Sequence, residues 1–552
     1  MQGSNTGVAT KTDSLRSRLN YEPQELGFGT SGRRGKVVDL TQLEVYLNAL
    51  AELEYLQSLS LAEGGIQRGD PFYFASDLRP SSSEFVSQEQ GRGEIAQAIV
   101  AAIADAGMKA VNLGRIPTPA LASYALTRSK GSIMVTGSHI PFDRNGYKTN
   151  SSRGELLKEQ EAPINERVRL VRKRLYEQTW DQSRFDQRGM LKSGHQALPE
   201  EHGEARAAYI ERFTGFFAGS SLKSKRILVY QHSAVGRDLL VEILQQLGAE
   251  VVKGGRSETF VPIDTENIDA AQLAVIQSLA DEAAGSGSLD AVVSTDGDSD
   301  RPLVLGVDRK TGRVQFFGGD LLGMVVAAYL DADAVVVPIS CNDAIDRGPL
   351  APVVEPKTRI GSPFVIAGME AALAKGKKRV CGWEPNGGFL TGSPISRNGA
   401  TLSPLLTRDA GLPILGVLFA AEQSGLSLID LFSRLPKRFS RAALLKQFPR
   451  ATALKIVGRF SPPAEAQTIK KDLAEFFTPA LGFSGIDRVD YTDGVRILFA
   501  NGEVAHVRPS GNADELRIYA VADTQSRADA MAAMGIEEPG GILRRMEKAV
   551  HG

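Results

Sequence analysis

The chain has very few of the residues from which covalent or zinc scaffolds are made. Its two cysteines, Cys341 and Cys381, stand far apart with no CxxC spacing, so a disulfide framework is excluded and a reducing, cytoplasmic setting is expected. Its six histidines form no HxxxH pair, which argues against a zinc site. No apolar run approaches the roughly 20 residues that span a bilayer. The polar start, Met1 to Arg18, lacks the apolar core of a signal peptide. An excess of one charge is also missing: 64 basic and 65 acidic residues leave a net charge of −1. Nucleic acid and membrane surfaces call for a concentrated basic patch, so neither is expected as a partner. Local basic clusters remain compatible with a small anionic ligand.

What is present suffices for several cores. At roughly 100–200 residues per domain, 552 residues correspond to about three to five domains. Residues 1–20 read as a flexible tail. Over 21–204, strand and helix signals alternate as in an α/β domain. Leu43, Tyr46, Leu47, Leu50 and Leu53 keep helical spacing within 41–61. A helix follows at 94–106, with strands at 71–75, 110–113 and 132–135. The charged stretch from 154 predicts a solvated helix over 164–176, then an extended connection to 204. A second α/β segment, 205–308, carries strands at 226–230, 250–252 and 291–293 and helices at 235–247 and 270–284. A third, 309–437, carries a helix at 321–330 and strands at 333–338 and 353–354. The last, 438–552, mixes strands and helices as an α+β domain.

Five runs carry chemistry. Ser138 follows a strand end in Thr136-Gly137-Ser138-His139-Ile140-Pro141-Phe142-Asp143-Arg144-Asn145-Gly146-Tyr147-Lys148. Gly before it and Pro after it predict a sharp loop that can present a hydroxyl to a ligand, although a lone serine also serves as a turn or helix cap. Earlier, Gly27, Gly29 and Gly32 satisfy G-x-G-x-x-G, but Pro23 spoils the strand that a dinucleotide site needs before it. That run reads as a glycine-rich loop. Asp296, Asp298 and Asp300 alternate after a short strand, and such clustered carboxylates repel unless a cation sits among them. An EF-hand is excluded, since its sixth and twelfth positions hold Arg301 and Val307. A dehalogenase-type phosphatase loop fits less well, because Asp300 takes the fifth position. On the run Glu384-Pro385-Asn386-Gly387-Gly388, a carboxylate and an amide can bond neighbouring sugar hydroxyls. Arg508, Ser510, Gly511, Asn512 and Arg517 offer a nest of donors for phosphate. Each of the last two runs also fits a plain turn.

In this order, from about residue 26 to 522, the runs resemble the α-D-phosphohexomutase superfamily, the phosphoglucomutase and phosphomannomutase enzymes. The serine loop is similar to T-A-S-H-N-P-x-x-x-N-G-x-K, with Gly137 for Ala and Ile140 for Asn. The glycine-rich loop is similar to F-G-T-S-G-x-R-G, with Arg34 at the arginine. Ser76-Asp77-Leu78-Arg79 stands where the family has G-R-D-x-R. The aspartate loop resembles D-G-D-x-D-R, the Glu384 run G-E-x-S-G, and the last run R-P-S-G-T-E-P-x-x-R with Asn512 for Thr.

The resemblance implies three similar α/β domains with mixed sheets plus a C-terminal α+β domain around a central active-site cleft. It implies an isomerase that interconverts hexose 1-phosphate and hexose 6-phosphate, of mannose and/or glucose. Ser138 would be the phosphoserine. Asp296, Asp298 and Asp300 would hold magnesium (Mg2+), with a phosphate oxygen on Ser138 as a further ligand. Arg301 would face the transferring phosphoryl group, Arg34 would be a further catalytic residue, and Lys148 would move protons with His139 as helper. Glu384 and Asn386 would read sugar hydroxyls. Arg508, Ser510, Gly511, Asn512 and Arg517 would grip the other phosphate. Hexose 1,6-bisphosphate would be the bound intermediate and the activator. The partners would be small-molecule hexose phosphates, and the enzyme a monomer or dimer.

Three departures matter. Several members follow a T-x-[VI]-G loop with His or Lys for proton transfer; here Ser362 stands there, leaving Arg359 or Lys357 to supply charge. A glucosamine phosphomutase would be expected to carry G-E-x-S-G-H. Asp514 would weaken phosphate binding if its carboxylate turned into the nest. Two other functions share these residues: a metal-dependent sugar-phosphate phosphatase and a catalytically silent sugar-phosphate-binding protein.

Overall fold

Hydrophobic strand segments alternating with amphipathic helices assemble here into mixed sheets. The computed structural model describes residues 13–29, 31–266, 268–463, 465–510 and 514–551. The chain packs into two compact units. Of the described residues, the first takes those within 13–28, 32–209 and 259–262, and the second those within 29–31, 210–258 and 263–551.

Unit 1 contains β1 (Arg33–Lys36), β2 (Pro71–Ser76), a small hairpin of β3 (Phe85–Val86) and β4 (Arg92–Gly93), β5 (Lys109–Arg115), β6 (Ser132–Val135), β7 (Arg144–Ser151) and β8 (Gly154–Glu155). The main sheet runs β1-β7-β6-β2-β5, with β8 on β7. β2, β5 and β6 are parallel. Helices Ile95–Asp105 and Thr118–Leu126 occupy the connections between them, as parallel pairing requires. β6 then turns back into antiparallel β7, with Val135 opposite Tyr147 and Met134 opposite Lys148. Helix Gln42–Gln57 starts where the Thr41 hydroxyl accepts the Glu44 N–H at 3.1 Å, a side-chain N-cap.

Two expectations change in this unit. The helix expected to be solvated over 164–176 spans Glu161–Tyr176, and Ile164, Val168, Val171 and Leu175 are buried in the core. These positions keep helical spacing beneath the arginines, so charge on one face hid an apolar stripe on the other. The flexible tail expected over 1–20 is ordered in its described part. Leu15 is buried in the same core, and its N–H donates to the Gln178 carbonyl. Residues 1–12 of that tail lie outside the described residues.

Unit 2 begins its sheets with β9 (Arg226–His232), β10 (Glu250–Arg256), β11 (Ala291–Thr295), β12 (Pro302–Val307) and β13 (Val314–Phe317), in the order β10-β9-β11-β12-β13. The sequence placed the end of this segment at 308. β13 extends it to Phe317, because the Asp308 carboxylate accepts the N–H groups of Lys310 and Thr311 and closes a hairpin. A second sheet takes β14 (Ala334–Val336), β15 (Val380–Trp383), β16 (Phe389–Thr391), then, after the hairpin β17 (Ile395–Arg397) and β18 (Ala400–Leu402), β19 (Leu405–Asp409). Its order is β14-β15-β16-β19. The strand expected at 353–354 is instead a 3-10 turn over Ala351–Val353, and Val354 makes a single bridge to Val335. Pro352 lacks the N–H that a strand there would need.

The last sheet is antiparallel: β20 (Phe439–Lys446), β21 (Ile486–Asp490), β22 (Val495–Phe499), β23 (Val504–Pro509) and β24 (Glu515–Ala522), ordered β20-β24-β23-β22-β21. Helices Arg450–Arg459, Ala466–Ala474, Gln525–Ile536 and Ile542–His551 accompany it, which matches the α+β expectation. No helix among the described residues is long and apolar enough to cross a membrane.

Candidate active site

Four of the five chemical runs form the connection of an antiparallel pair. The serine loop joins β6 to β7, the aspartate loop β11 to β12, the Glu384 run β15 to β16, and the arginine-serine run β23 to β24. Strand ends fix both feet of every loop.

In unit 1 the serine loop is held from within. The Thr136 hydroxyl donates to Asp77 Oδ2 at 2.7 Å and accepts the Ser138 N–H at 2.7 Å. Arg79 is 1% exposed and donates to four carbonyls, those of Ser138 and Ile140 at 3.0 Å, Pro141 at 2.7 Å and Arg144 at 2.9 Å. Its guanidinium lies 3.8 Å from the centre of the Phe260 ring, a cation–π contact. Gly137 is small for this reason: a Cβ there would sit 2.7 Å from Arg79 Cζ. Ser138 is buried and takes a φ of +55°, and its hydroxyl lies 3.4 Å from His139 Nδ1. A left-handed non-glycine residue costs about 1–3 kcal/mol and persists only where its surroundings enforce it. Here Asp77, Thr136 and Arg79 do so. Lys148 is buried on β7, two residues past Gly146. Arg34, half-buried, lies opposite Gly146 on β1. Ser138, His139, Lys148 and Arg34 thus share one corner of this sheet.

In unit 2 the three aspartates are fully buried, and one carboxylate oxygen from each lies within 4.8 Å of the others. The loop closes on itself: Asp296 Oδ1 accepts the N–H groups of Asp300 and Arg301, each at 3.2 Å. Ser299, at φ +58°, receives the Gly236 N–H on its hydroxyl at 2.9 Å. Buried carboxylates this close require compensating cations. Arg301 Nε approaches Asp300 Oδ1 at 3.7 Å and Asp296 Oδ2 at 3.9 Å. An all-oxygen donor set of this kind suits a hard divalent cation.

The Glu384 loop packs against the aspartate loop. Gly387, at φ +85°, leaves room for Pro302, whose Cγ would lie 2.7 Å from an added Cβ. Glu384 and Asn386 are buried. The Thr265 hydroxyl donates to the Asn386 carbonyl at 2.9 Å, and Asn386 Oδ1 accepts the Gly388 N–H at 3.0 Å. Between the two loops runs Arg408, which sequence reading passed over as part of Thr407-Arg408-Asp409. It donates to Asp300 Oδ2 through Nη2 at 2.8 Å and Nε at 3.2 Å, and through Nη1 to Glu384 Oε2 at 2.9 Å and Ser362 Oγ at 3.2 Å.

Ser362 therefore faces Arg408, and the sequence's substitutes are engaged elsewhere. Lys357 pairs with Asp346 at 2.5 Å, and Arg359 donates to the Thr492 carbonyl at 3.3 Å. A second group escaped notice in the sequence. Burial and the neighbouring Asp264 carboxylate push Glu266 up to about 7, against the pull of Arg301 and Arg517. Its only signal was an acidic pair two residues apart on a loop.

Arg508 and Arg517 lie directly opposite each other on β23 and β24. Asp493 holds Arg508 at 3.3 Å and accepts the Ile360 N–H at 3.0 Å. Ser510 is buried, and its carbonyl accepts from Arg450 at 2.8 Å. Gly511 and Asn512 lie outside the described residues. Asp514 turns toward helix Arg450–Arg459, where its Oδ1 accepts the Arg450 N–H at 3.2 Å.

Comparison with known proteins yields consistent matches. Residues 25–174 match the family profile described as phosphoglucomutase/phosphomannomutase, alpha/beta/alpha domain I. Residues 207–309 match domain II, and 446–538 the C-terminal domain. A phosphomannomutase of Sinorhizobium fredii is 39% identical over 511 residues, which is 92% of this chain and 98% of the relative. The fold is similar to a solved phosphoglucomutase/phosphomannomutase family protein of Burkholderia thailandensis, with a TM-score of 0.63 at 18% identity, over 95% of this chain and 97% of that one. It is also similar to an Aspergillus fumigatus N-acetylphosphoglucosamine mutase solved with glucose 1,6-bisphosphate, with a TM-score of 0.53 at 15% identity over 97% and 98% of the two chains.

Proposed function

Since the chain belongs to the phosphoglucomutase/phosphomannomutase family and is a phosphohexomutase, we propose that it isomerises hexose 1-phosphate and hexose 6-phosphate through a phosphoserine at Ser138. The substrates of this reading are the 1-phosphates of mannose and glucose, the first because the Sinorhizobium relative is a phosphomannomutase. The two reacting oxygens of a hexose are too far apart for direct transfer, so the phosphoryl group needs a relay. Phosphorylated Ser138 gives its phosphoryl to the free C6 hydroxyl: the bond from phosphorus to the Ser138 oxygen breaks as the bond to the C6 oxygen forms, and the hydroxyl proton passes by way of Lys148 to the Ser138 oxygen. The bisphosphate turns over while bound and returns its C1 phosphoryl to Ser138, and the Ser138 proton passes to the C1 oxygen as its bond to phosphorus breaks, which releases hexose 6-phosphate. Arg34 and Arg301 offset charge on the transferring group, since phosphoryl transfer depends mainly on positioning and charge stabilisation. Glu384 and Asn386 bind sugar hydroxyls in both poses. Arg508, Ser510, Gly511, Asn512 and Arg517 hold the phosphate that is not reacting.

Asp296, Asp298 and Asp300 would hold Mg2+, which neutralises charge on the phosphoryl oxygens when bound. The donor set fits: three buried carboxylates and no nitrogen or sulfur ligand among them. The observation that carries this reading is the single hydrogen-bonded cluster that Arg408 makes of the metal loop and the sugar loop.

A phosphorus NMR time course tests it, with Mg2+, a trace of hexose 1,6-bisphosphate, and glucose 1-phosphate or mannose 1-phosphate supplied separately. The 6-phosphate is expected with the wild-type chain and absent with Ser138→Ala, and the ratio of rates names the sugar. Free phosphate without a 6-phosphate would establish a phosphatase instead, and an unchanged spectrum a binding role.

A further inference from the structure

Arg408 is 2% exposed, and its guanidinium bridges two carboxylates that belong to different loops. Oδ2 of Asp300 accepts two of its N–H groups, and Oε2 of Glu384 accepts a third. The fork also donates to Ser362 Oγ at 3.2 Å. Across the guanidinium's path stands Gly388, the residue after Gly387. A Cβ at Gly388 would lie 2.4 Å from Arg408 Cδ. A serine and a glycine thus leave the space that one arginine fills.

We propose that Arg408 is a positioning residue that couples sugar recognition by Glu384 to cation binding by the aspartate loop. A buried guanidinium is charged at every working pH and presents its donors in a fixed plane. Any shift of Glu384 toward a sugar hydroxyl changes how strongly the fork engages Asp300, and a cation on Asp300 changes how strongly it engages Glu384. Such coupling is reciprocal. The inference rests on the assignment of Asp300 to the metal and of Glu384 to the sugar.

The test is calorimetric titration of the purified full chain with Mn2+, for wild type, Glu384→Gln, Arg408→Met and the double variant. Circular dichroism confirms that each is folded, and Arg408→Lys replaces Arg408→Met throughout should the latter fail to fold. Glu384→Gln is expected to weaken Mn2+ binding by roughly 5-fold or more, in the usual range of site-to-site coupling. In the Arg408 variant the same change should shift it less than about 2-fold. A Glu384→Gln effect that survives undiminished without Arg408 overturns the coupling and leaves the functional reading intact, because it is then a direct field effect of one carboxylate. A wild-type chain that binds no Mn2+ overturns both.

Discussion

Asp77 and Arg79 do for the serine loop what Arg408 does for the aspartate loop. In each case a buried guanidinium is tied to a carboxylate and to the loop that carries the chemistry. None of these roles was legible in the sequence. Arg408 meets Asp300 across 108 residues of chain and Glu384 across 24, so no local spacing announces it. The motif residues could be read because their function is local: three alternating aspartates repel wherever they sit. Glu266 is the other residue that only the structure identifies, and it carries a pH-dependent prediction. In the metal-free protein its folded value of about 7 lies above the ordinary value of 4.5. A carboxyl whose folded value is raised contributes stability that is fully present below 4.5 and is lost as pH rises through 7. Glu266→Gln cannot ionise, so its stability advantage over wild type should grow between pH 4.5 and 7 and then level off. The gain is at most about 3 kcal/mol for a shift of this size, reduced by whatever solvent screens. Urea unfolding at several pH values checks it, and a difference that does not vary with pH would contradict it.

The placement of all four loops between antiparallel strands explains why element boundaries and sites were both readable. A strand run ends where its turn chemistry begins, and Ser138, the three aspartates, Glu384 and Asn386 lie on those turns, whereas Arg34, Lys148, Arg508 and Arg517 lie on the strands themselves. In the first three segments the apolar runs of β2, β5, β6, β9, β10, β11 and β14 were found, whereas the strands that return antiparallel after the loops, such as β7, β12 and β16, were not. Failures came where charge or proline masked packing, as at helix Glu161–Tyr176 and at Ala351–Val353. Buried ion pairs were also out of reach. On β1, Arg33 pairs with Glu52 of helix Gln42–Gln57 at 2.5 Å, both nearly unexposed. The Tyr147 and Thr149 hydroxyls of β7 donate to the same carboxylate. This fastens the strand that carries Arg34 and the strand that carries Lys148 to one helix. Glu52→Ala leaves Arg33 buried without its partner, which typically costs about 3–5 kcal/mol. Thermal or denaturant unfolding should show that loss, whereas a change below about 1 kcal/mol would mean that the pair is replaced by water. Arg33→Met together with Glu52→Leu should recover most of it, since removing both charges removes the penalty.

At the scale of the whole molecule, composition excluded more than it identified. A balanced charge and scarce cysteine give no expectation of a nucleic-acid partner or a disulfide scaffold, but they fit many enzymes. Identity came from the order of the loops along the chain, and the matches over 25–174, 207–309 and 446–538 follow that order. The account's central claim is that one serine carries the phosphoryl group between two ends of a sugar. The most direct measurement uses hexose 1,6-bisphosphate bearing phosphorus-32, a short incubation with the full chain and Mg2+, peptide mapping, and then a chase with unlabelled hexose 1-phosphate. The label should appear on the peptide containing Ser138, pass into hexose phosphate during the chase, and be absent from Ser138→Ala. Label found only in free phosphate, or in product with no labelled Ser138 peptide at any time, would contradict the relay.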